Sequence, residues 1–328
     1  MKNEFLTVAE ASARIAAGDV MTVAGDADLL AQLPAGKWIG GTSVYFVTET
    51  GGAIVRDKVF CTTFEDVVDA EVRQQDASSL NDIAGGYKAG GFTVVLIPAF
   101  SNTHTTFAEA APSMGALFAQ PLVGWISGVH LDELGTAKPM VFNGATAIAV
   151  EDGAVCLHIA LPAGAKVNTD IVNIFDQGHN AGTTFTFQEK GFAATTAVVE
   201  GREVNFAQYL TENNIDTRLP LVANYAGALV NVAVQAVDTD NGNVAFYAPV
   251  MPGVEYQLAA PISDYAGTFA ANLGDSGVGQ YSCNCILNYL YGELEGKSTG
   301  TFTGPVTFGE IAYILLNQTL VKLDIQAA

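Results

Sequence analysis

The chain has 328 residues, and fourteen Lys and Arg against thirty-four Asp and Glu give a formal net charge of -20. The basic residues are scattered singly. Neither a phosphate backbone nor an anionic lipid surface is therefore a natural partner, since both need clustered cations. Nearly half the residues are apolar, ample for the cores of two ordinary domains, and no run of about 18 apolar residues is long enough to span a membrane.

The opening residues, 1–19, read as an amphipathic helix, with Thr7 and Glu10 in capping-box spacing rather than a basic leader. Further helical patterns fall at 26–33, 104–118, 204–213, 285–295 and 307–318. Short runs rich in Val, Ile, Phe and Thr predict strands at 44–47, 92–97, 155–161 and 229–237. "EDGAV" at 151–155 and "DTDNGNV" at 238–244 read as hairpin turns, with Asp-Gly and Asn-Gly supplying positive φ. Strands and helices alternate without a strict βαβα rhythm. The expectation is an α+β fold with large mixed or antiparallel sheets flanked by helices, built as two pseudo-repeated halves, 1–165 and 166–328.

A repeat is visible within the first half. "LLAQLPAGKWIGGTSVYF" at 29–46 resembles "LFAQPLVGWISGVHLDE" at 117–133. The chain's two tryptophans, Trp38 and Trp125, take matching places, and each copy continues to a "VF" strand near 60 and 142.

The densest chemistry is "YSCNCILNYL" at 281–290. On a strand, Cys283 and Cys285 share a face and Asn284 takes the other. A zinc site would need two more soft ligands, and neither Cys61, Cys156 nor any histidine has a paired spacing. No metal is expected. A thiolate at a helix N-terminus would have a lowered pKa, so Cys283 is the alternative nucleophile of a cysteine enzyme, with His104, His130, His158 or His179 as its base. His158 shares a strand face with Cys156 and either lines a pocket or packs in the core. In "GPVTFGEIAYILL" at 304–316, Glu310 falls in the first turn of the expected helix, where it caps the helix or meets a cationic group. "GDSG" at 274–277 and "GVGQYS" at 277–282 are decoys: the first lacks a serine protease's following Gly-Pro, the second a third glycine.

"YSCN" followed about twenty-five residues later by "FGEIA" resembles the C-terminal half of the FIST domain (F-box and intracellular signal transduction). "WIGGTSVYFVTETGG" at 38–52 and the stretch 93–161 are similar to its N-terminal half. The resemblance implies a sensory module that binds a small ligand between two halves, and Ser282, Cys283, Gly309 and Glu310 match its motifs. Where the family commonly follows the cysteine with Gly-Arg, this chain has Cys285-Ile286-Leu287, and no basic residue occurs between Arg218 and Lys297. An arginine fork for a ligand carboxylate is thus missing, and a more apolar or cationic ligand is implied. The expected ligand-binding set is Tyr281, Ser282, Cys283, Cys285, Tyr289, Gly309 and Glu310, with Trp38, Gly41, Trp125 and His158 from the first half. The implied protein is a stand-alone cytoplasmic sensor signalling through a separate protein. It needs no cofactor, though some relatives bind haem.

Overall fold

A computed structural model describes the chain except residues 178–182, 226–227, 273–279, 298–301 and 328. His179 and the "GDSG" decoy therefore lie outside the described residues. The fold is α+β, with five sheets among the described residues: three mixed and two antiparallel.

The three mixed sheets are versions of one plan. In the first, strands Lys2–Leu6, Val59–Phe64, Val20–Gly25 and Trp38–Thr42 lie side by side, joined antiparallel, antiparallel and parallel. The second repeats this with Asp69–Gln75, Ala154–Ala160, Phe92–Pro98 and Leu122–Ser127. The third repeats it again with Lys166–Val172, Leu320–Gln326, Tyr281–Cys285 and Gly304–Thr307. In chain order each unit's strands therefore pair as first, fourth, second, third. A helix joins each second strand to the parallel third: Ala27–Leu30, Asn102–Ala110 and Ile286–Tyr291.

Each sheet is completed by a hairpin from another unit. Val141–Asn143 and Ile148–Val150 of the second unit extend the first sheet. Glu310–Ala312 and Ile314–Leu316 of the third extend the second. Tyr45–Thr48 and Gly51–Ile54 of the first extend the third. The exchange closes on itself, so every unit both gives and receives an edge, and no unit's sheet is complete without its neighbour. The repeat read in the first half thus belongs to a set of three. The third unit is interrupted between its first and second strands by residues 173–280, which carry two antiparallel sheets and helix Phe206–Glu212. This insertion packs on the second unit through a shared core in which Phe185, Phe206 and Tyr256 join Leu80, Ile97 and Phe107.

Several sequence readings are met. Thr7 and Glu10 form the capping box of helix Val8–Ala16. Strand Phe92–Pro98 is buried throughout, as its unbroken apolar run requires. Gly242, at φ +68, turns the hairpin of Val234–Asp238 and Asn243–Val250.

Others are corrected. Residues 307–318 are no helix: they form strands Glu310–Ala312 and Ile314–Leu316, reversed at Tyr313 with φ +66. Glu310 is therefore a strand residue with no helix dipole to answer. "EDGAV" makes no hairpin, because the strands on either side of it belong to different sheets. Trp38 and Trp125 lie on the third strands of their units, but three positions out of register. The ladders equate Trp125 with Gly41 and Val306, each opposite the first residue of a received hairpin. At Gly41 a Cβ would come within 2.5 Å of the Trp125 indole, so only glycine admits that ring.

Candidate functional site

The parallel strands of the three units end near one another. Gly128 N–H donates to the Thr42 carbonyl (2.9 Å), Ile126 N–H to the Gly309 carbonyl (2.8 Å), and the Ser43 hydroxyl to the Val306 carbonyl (2.7 Å). Three clefts of one kind follow, each at the C-terminal ends of a parallel pair, where open sheets meet ligands.

The three differ in content. Between the first and second units lies a space of about 210 Å³ lined by Asp26, Ser43, His130 and Lys138. Arg56 bridges its rim, 2.6 Å from Asp26 and 2.7 Å from Glu133. Between the third and first units the cleft is filled. Tyr289 stands edge-on to Tyr45 with centroids 5.4 Å apart, and both pack with Val44, Leu287, Leu294 and Val306.

Between the second and third units lies a cavity of about 350 Å³. The second unit contributes Ala99, Phe100, His104 and Thr105, with Leu131 and Leu134 from beyond its third strand. The third contributes Cys285, Ile286, Leu287, Leu290, Phe308 and Asn317. The insertion supplies the remaining wall, Phe192, Gln235, Phe246 and Tyr247. Phe100, Leu134 and Leu290 are exposed.

His104 is the polar group of consequence. Ser101 caps helix Asn102–Ala110 by accepting from His104 N–H at 3.0 Å, which fixes the histidine in the first turn. Phe100, held at φ +64, donates its N–H to His104 Nδ1 at 3.3 Å. An accepting Nδ1 places the proton of the neutral ring on Nε2. Burial lowers the pKa to about 4, so the ring stays neutral above that. Nε2 is buried and has no partner. The ring stands edge-on to Phe192 at 5.7 Å.

The expected site residues divide. Cys285 lines this cavity, while Cys283, Tyr281 and Trp125 lie together in the core behind it. Cys283 Sγ is 3.2 Å from the Gly124 carbonyl, to which it donates. Burial, then the nearby Glu310, pushes its thiol well above the ordinary range, and Cys285 is raised for the same reasons. Neither is thereby disposed to act as a thiolate. Glu310 lies beside Cys285, inside the protein. Its Oε2 accepts from the Thr319 hydroxyl (2.8 Å) and N–H (3.3 Å), and its Oε1 lies 3.4 Å from the Thr307 hydroxyl. It is fully buried, and desolvation raises its pKa well above the carboxylate range.

Ser282 donates to the Thr303 carbonyl at 3.2 Å. Gly309 packs against Leu315 and Ile126. Tyr289 fills the closed cleft. Trp38 sits in a separate core with Ile15 and Leu33. His158 is fully buried, its Nδ1 2.8 Å from the Thr93 hydroxyl and Gly86 closed over its Nε2. Among the described residues no three His, Cys, Asp or Glu side chains are grouped to hold a metal ion. No helix described is long and apolar enough to cross a membrane.

A family model described as a family of unknown function (DUF6976) matches residues 6–326. The chain belongs to that family. No curated protein matches it. In this DUF6976 chain the cavity wall that sequence reasoning missed is Phe100, Phe192, Phe246 and Tyr247. The available signal was "PAFSNTH" at 98–104: a strand ending in proline, then Ser and His in N-cap spacing.

Proposed function

We propose that this protein binds a small molecule in the cavity between its second and third units. The observation that carries the reading is the break in the threefold pattern. One cleft is filled by tyrosines and one is bridged by Arg56, while the insertion walls the other from outside and leaves about 350 Å³ inside it. That volume lies within the roughly 300–1,000 Å³ of small-molecule sites, and its apolar walls with few polar groups fit the usual pattern. The likeness to the FIST domain supports the same reading: a cytoplasmic sensor whose ligand is reported through a separate protein. The insertion is the element to carry the report, since it contributes one wall and no part of the three-unit exchange.

The test is a thermal-shift screen of a metabolite panel on wild type and on Thr105→Trp. Thr105 is exposed on its helix and lines the cavity, so the indole occupies the space without disturbing the core. The expected result is a compound that raises the wild-type midpoint and leaves the variant unmoved. Equal shifts in both place binding elsewhere and contradict the reading. The residues present do not fit haem, the alternative ligand: His104 Nδ1 already accepts from Phe100 N–H and its Nε2 is enclosed by protein, so neither nitrogen is presented to an iron in the cavity. A Soret band on purified protein would contradict this and replace the metabolite reading.

A further inference from the structure

The cavity between the second and third units has an apolar rim. Phe100, Leu134 and Leu290 come from three separate stretches of chain, line the cavity and stay exposed. Single exposed apolar residues need no explanation, but three that converge on one opening do. Phe100 is the most telling. It is 63% exposed and stands at φ +64, a conformation that glycine takes freely and other residues hold only under strain. A side chain so exposed is not core packing, so burial does not account for a phenylalanine there. Its ring meets Phe308 edge-on with centroids 6.1 Å apart. A strained turn thus holds an aromatic ring at the opening.

The wall limits the occupant. The described lining contains no Lys, Arg, Asp or Glu. A cation or an anion would leave water with no counter-charge to meet, which is strongly unfavourable. Glu310, the carboxylate that a cationic ligand would need, is fully buried outside the lining and held by Thr319. Asn317 is already engaged, accepting from Ala233 N–H at 2.9 Å and donating to the Asn231 carbonyl at 3.1 Å. Phe192, Phe246 and Tyr247 of the insertion and Phe308 of the third unit join Phe100 in the wall. An aromatic guest gains ring–ring contact there beyond the area it buries. Since a dry cavity of about 150 Å³ holds one benzene, the 350 Å³ here has room for two fused rings.

We infer that the cavity takes an uncharged aromatic molecule of about two fused rings, and that Phe100 packs on it at the opening. This rests on the reading of the cavity as the ligand site. No bond is made or broken, so Phe100 is a binding residue.

Four probes test it by titration calorimetry at neutral pH: quinoline, which is uncharged there, its cation N-methylquinolinium, the anion 2-naphthoate, and octan-1-ol as an uncharged aliphatic chain. Quinoline is expected to bind most tightly, by about tenfold or more over either ion, whose charge would be stripped of water for no partner. Thr105→Trp should abolish that binding. Phe100→Gly should weaken it about two- to tenfold, the worth of one ring–ring contact, with no fall in the unfolding midpoint because the strain at that position is relieved. Quinoline affinity unchanged in Phe100→Gly would remove Phe100 from the site. Tightest binding by N-methylquinolinium, 2-naphthoate or octan-1-ol, still blocked by Thr105→Trp, would leave the cavity as the site and overturn the ligand class. So would failure of all four probes beside a metabolite that Thr105→Trp shuts out. If neither probes nor metabolites bind in a way that Thr105→Trp blocks, the cavity reading itself falls, and this inference with it.

Discussion

The cleft between the second and third units and the cleft between the third and first are built alike, yet one is hollow and the other solid. Both lie at the C-terminal ends of parallel strands, and the third unit's second strand, Tyr281–Cys285, serves both. In the solid cleft Tyr289 lies against Tyr45, and Gly52 leaves room for its ring. In the hollow one, the corresponding space is bounded by Phe100, His104 and the insertion. A repeated scaffold can thus keep one cleft for stability and free another for binding, because closure of the sheets is supplied by the exchanged hairpins and not by the cleft contents.

The largest expected effect comes from emptying the solid cleft. Tyr289→Ala should cost about 3–5 kcal/mol in urea unfolding, as buried aromatic truncations do. A loss below about 1 kcal/mol would mean the packing there is not structural, and the contrast between the clefts would blunt. Next is Gly41→Ala. The added methyl meets the Trp125 indole at 2.5 Å, and the strain should cost about 1–3 kcal/mol, visible as a lower unfolding midpoint with the red edge of tryptophan emission shifted.

The pH dependence of stability is a further test, because buried groups pull in opposite directions. Glu310 has its pKa raised in the fold. Its stabilisation is present below the unfolded carboxylate value and is lost as pH rises toward its folded pKa. His104 and His158 are lowered by burial to about 4 each. Their contribution is present above about 6.5 and is lost as pH falls toward 4. Between about pH 4.5 and 6.5 the two trends offset. Glu310→Gln should therefore steepen the rise of stability with pH in that window, measured by urea midpoints, and flatten the decline above it. An unchanged profile would show Glu310 ionised in the fold.

The smallest effect is expected at the bridged cleft. Arg56 is half-exposed and pairs with Asp26 and Glu133. Arg56→Ala should cost no more than about 1 kcal/mol and less in high salt, with no change in ligand binding at the hollow cleft.

Much of this architecture was legible in the sequence where local chemistry decides it. The capping box at Thr7, the buried strand at 92–98 and the Asn-Gly hairpin at 241–242 each rest on contacts within a few residues. The segment 307–318 was misread because "EIAYILL" is an apolar run with no period to separate strand from helix. Its reversal falls on Tyr313, which has none of the Gly or Asn that announce positive φ. The third unit stayed hidden because residues 173–280 separate its first strand from its second. The Trp38–Trp125 match was real as a motif and shifted as a register, since hairpins from other units set the ladder. The motifs paired Cys283 with Glu310, and it is Cys285 that lines the cavity: burial is a tertiary property, and no linear pattern showed that Glu310 would lie behind the cavity wall. His104 joins the cavity wall through the meeting of the second and third units with the insertion, which only coordinates reveal.

The most direct test is a crystal structure of the protein with the compound that the thermal-shift screen selects. One molecule is predicted, between Phe100, Phe246 and Leu287, with the cleft at Tyr289 still closed. Density for that compound in either of the other clefts, with the space beside Phe100 and Phe246 left to solvent, would contradict the account.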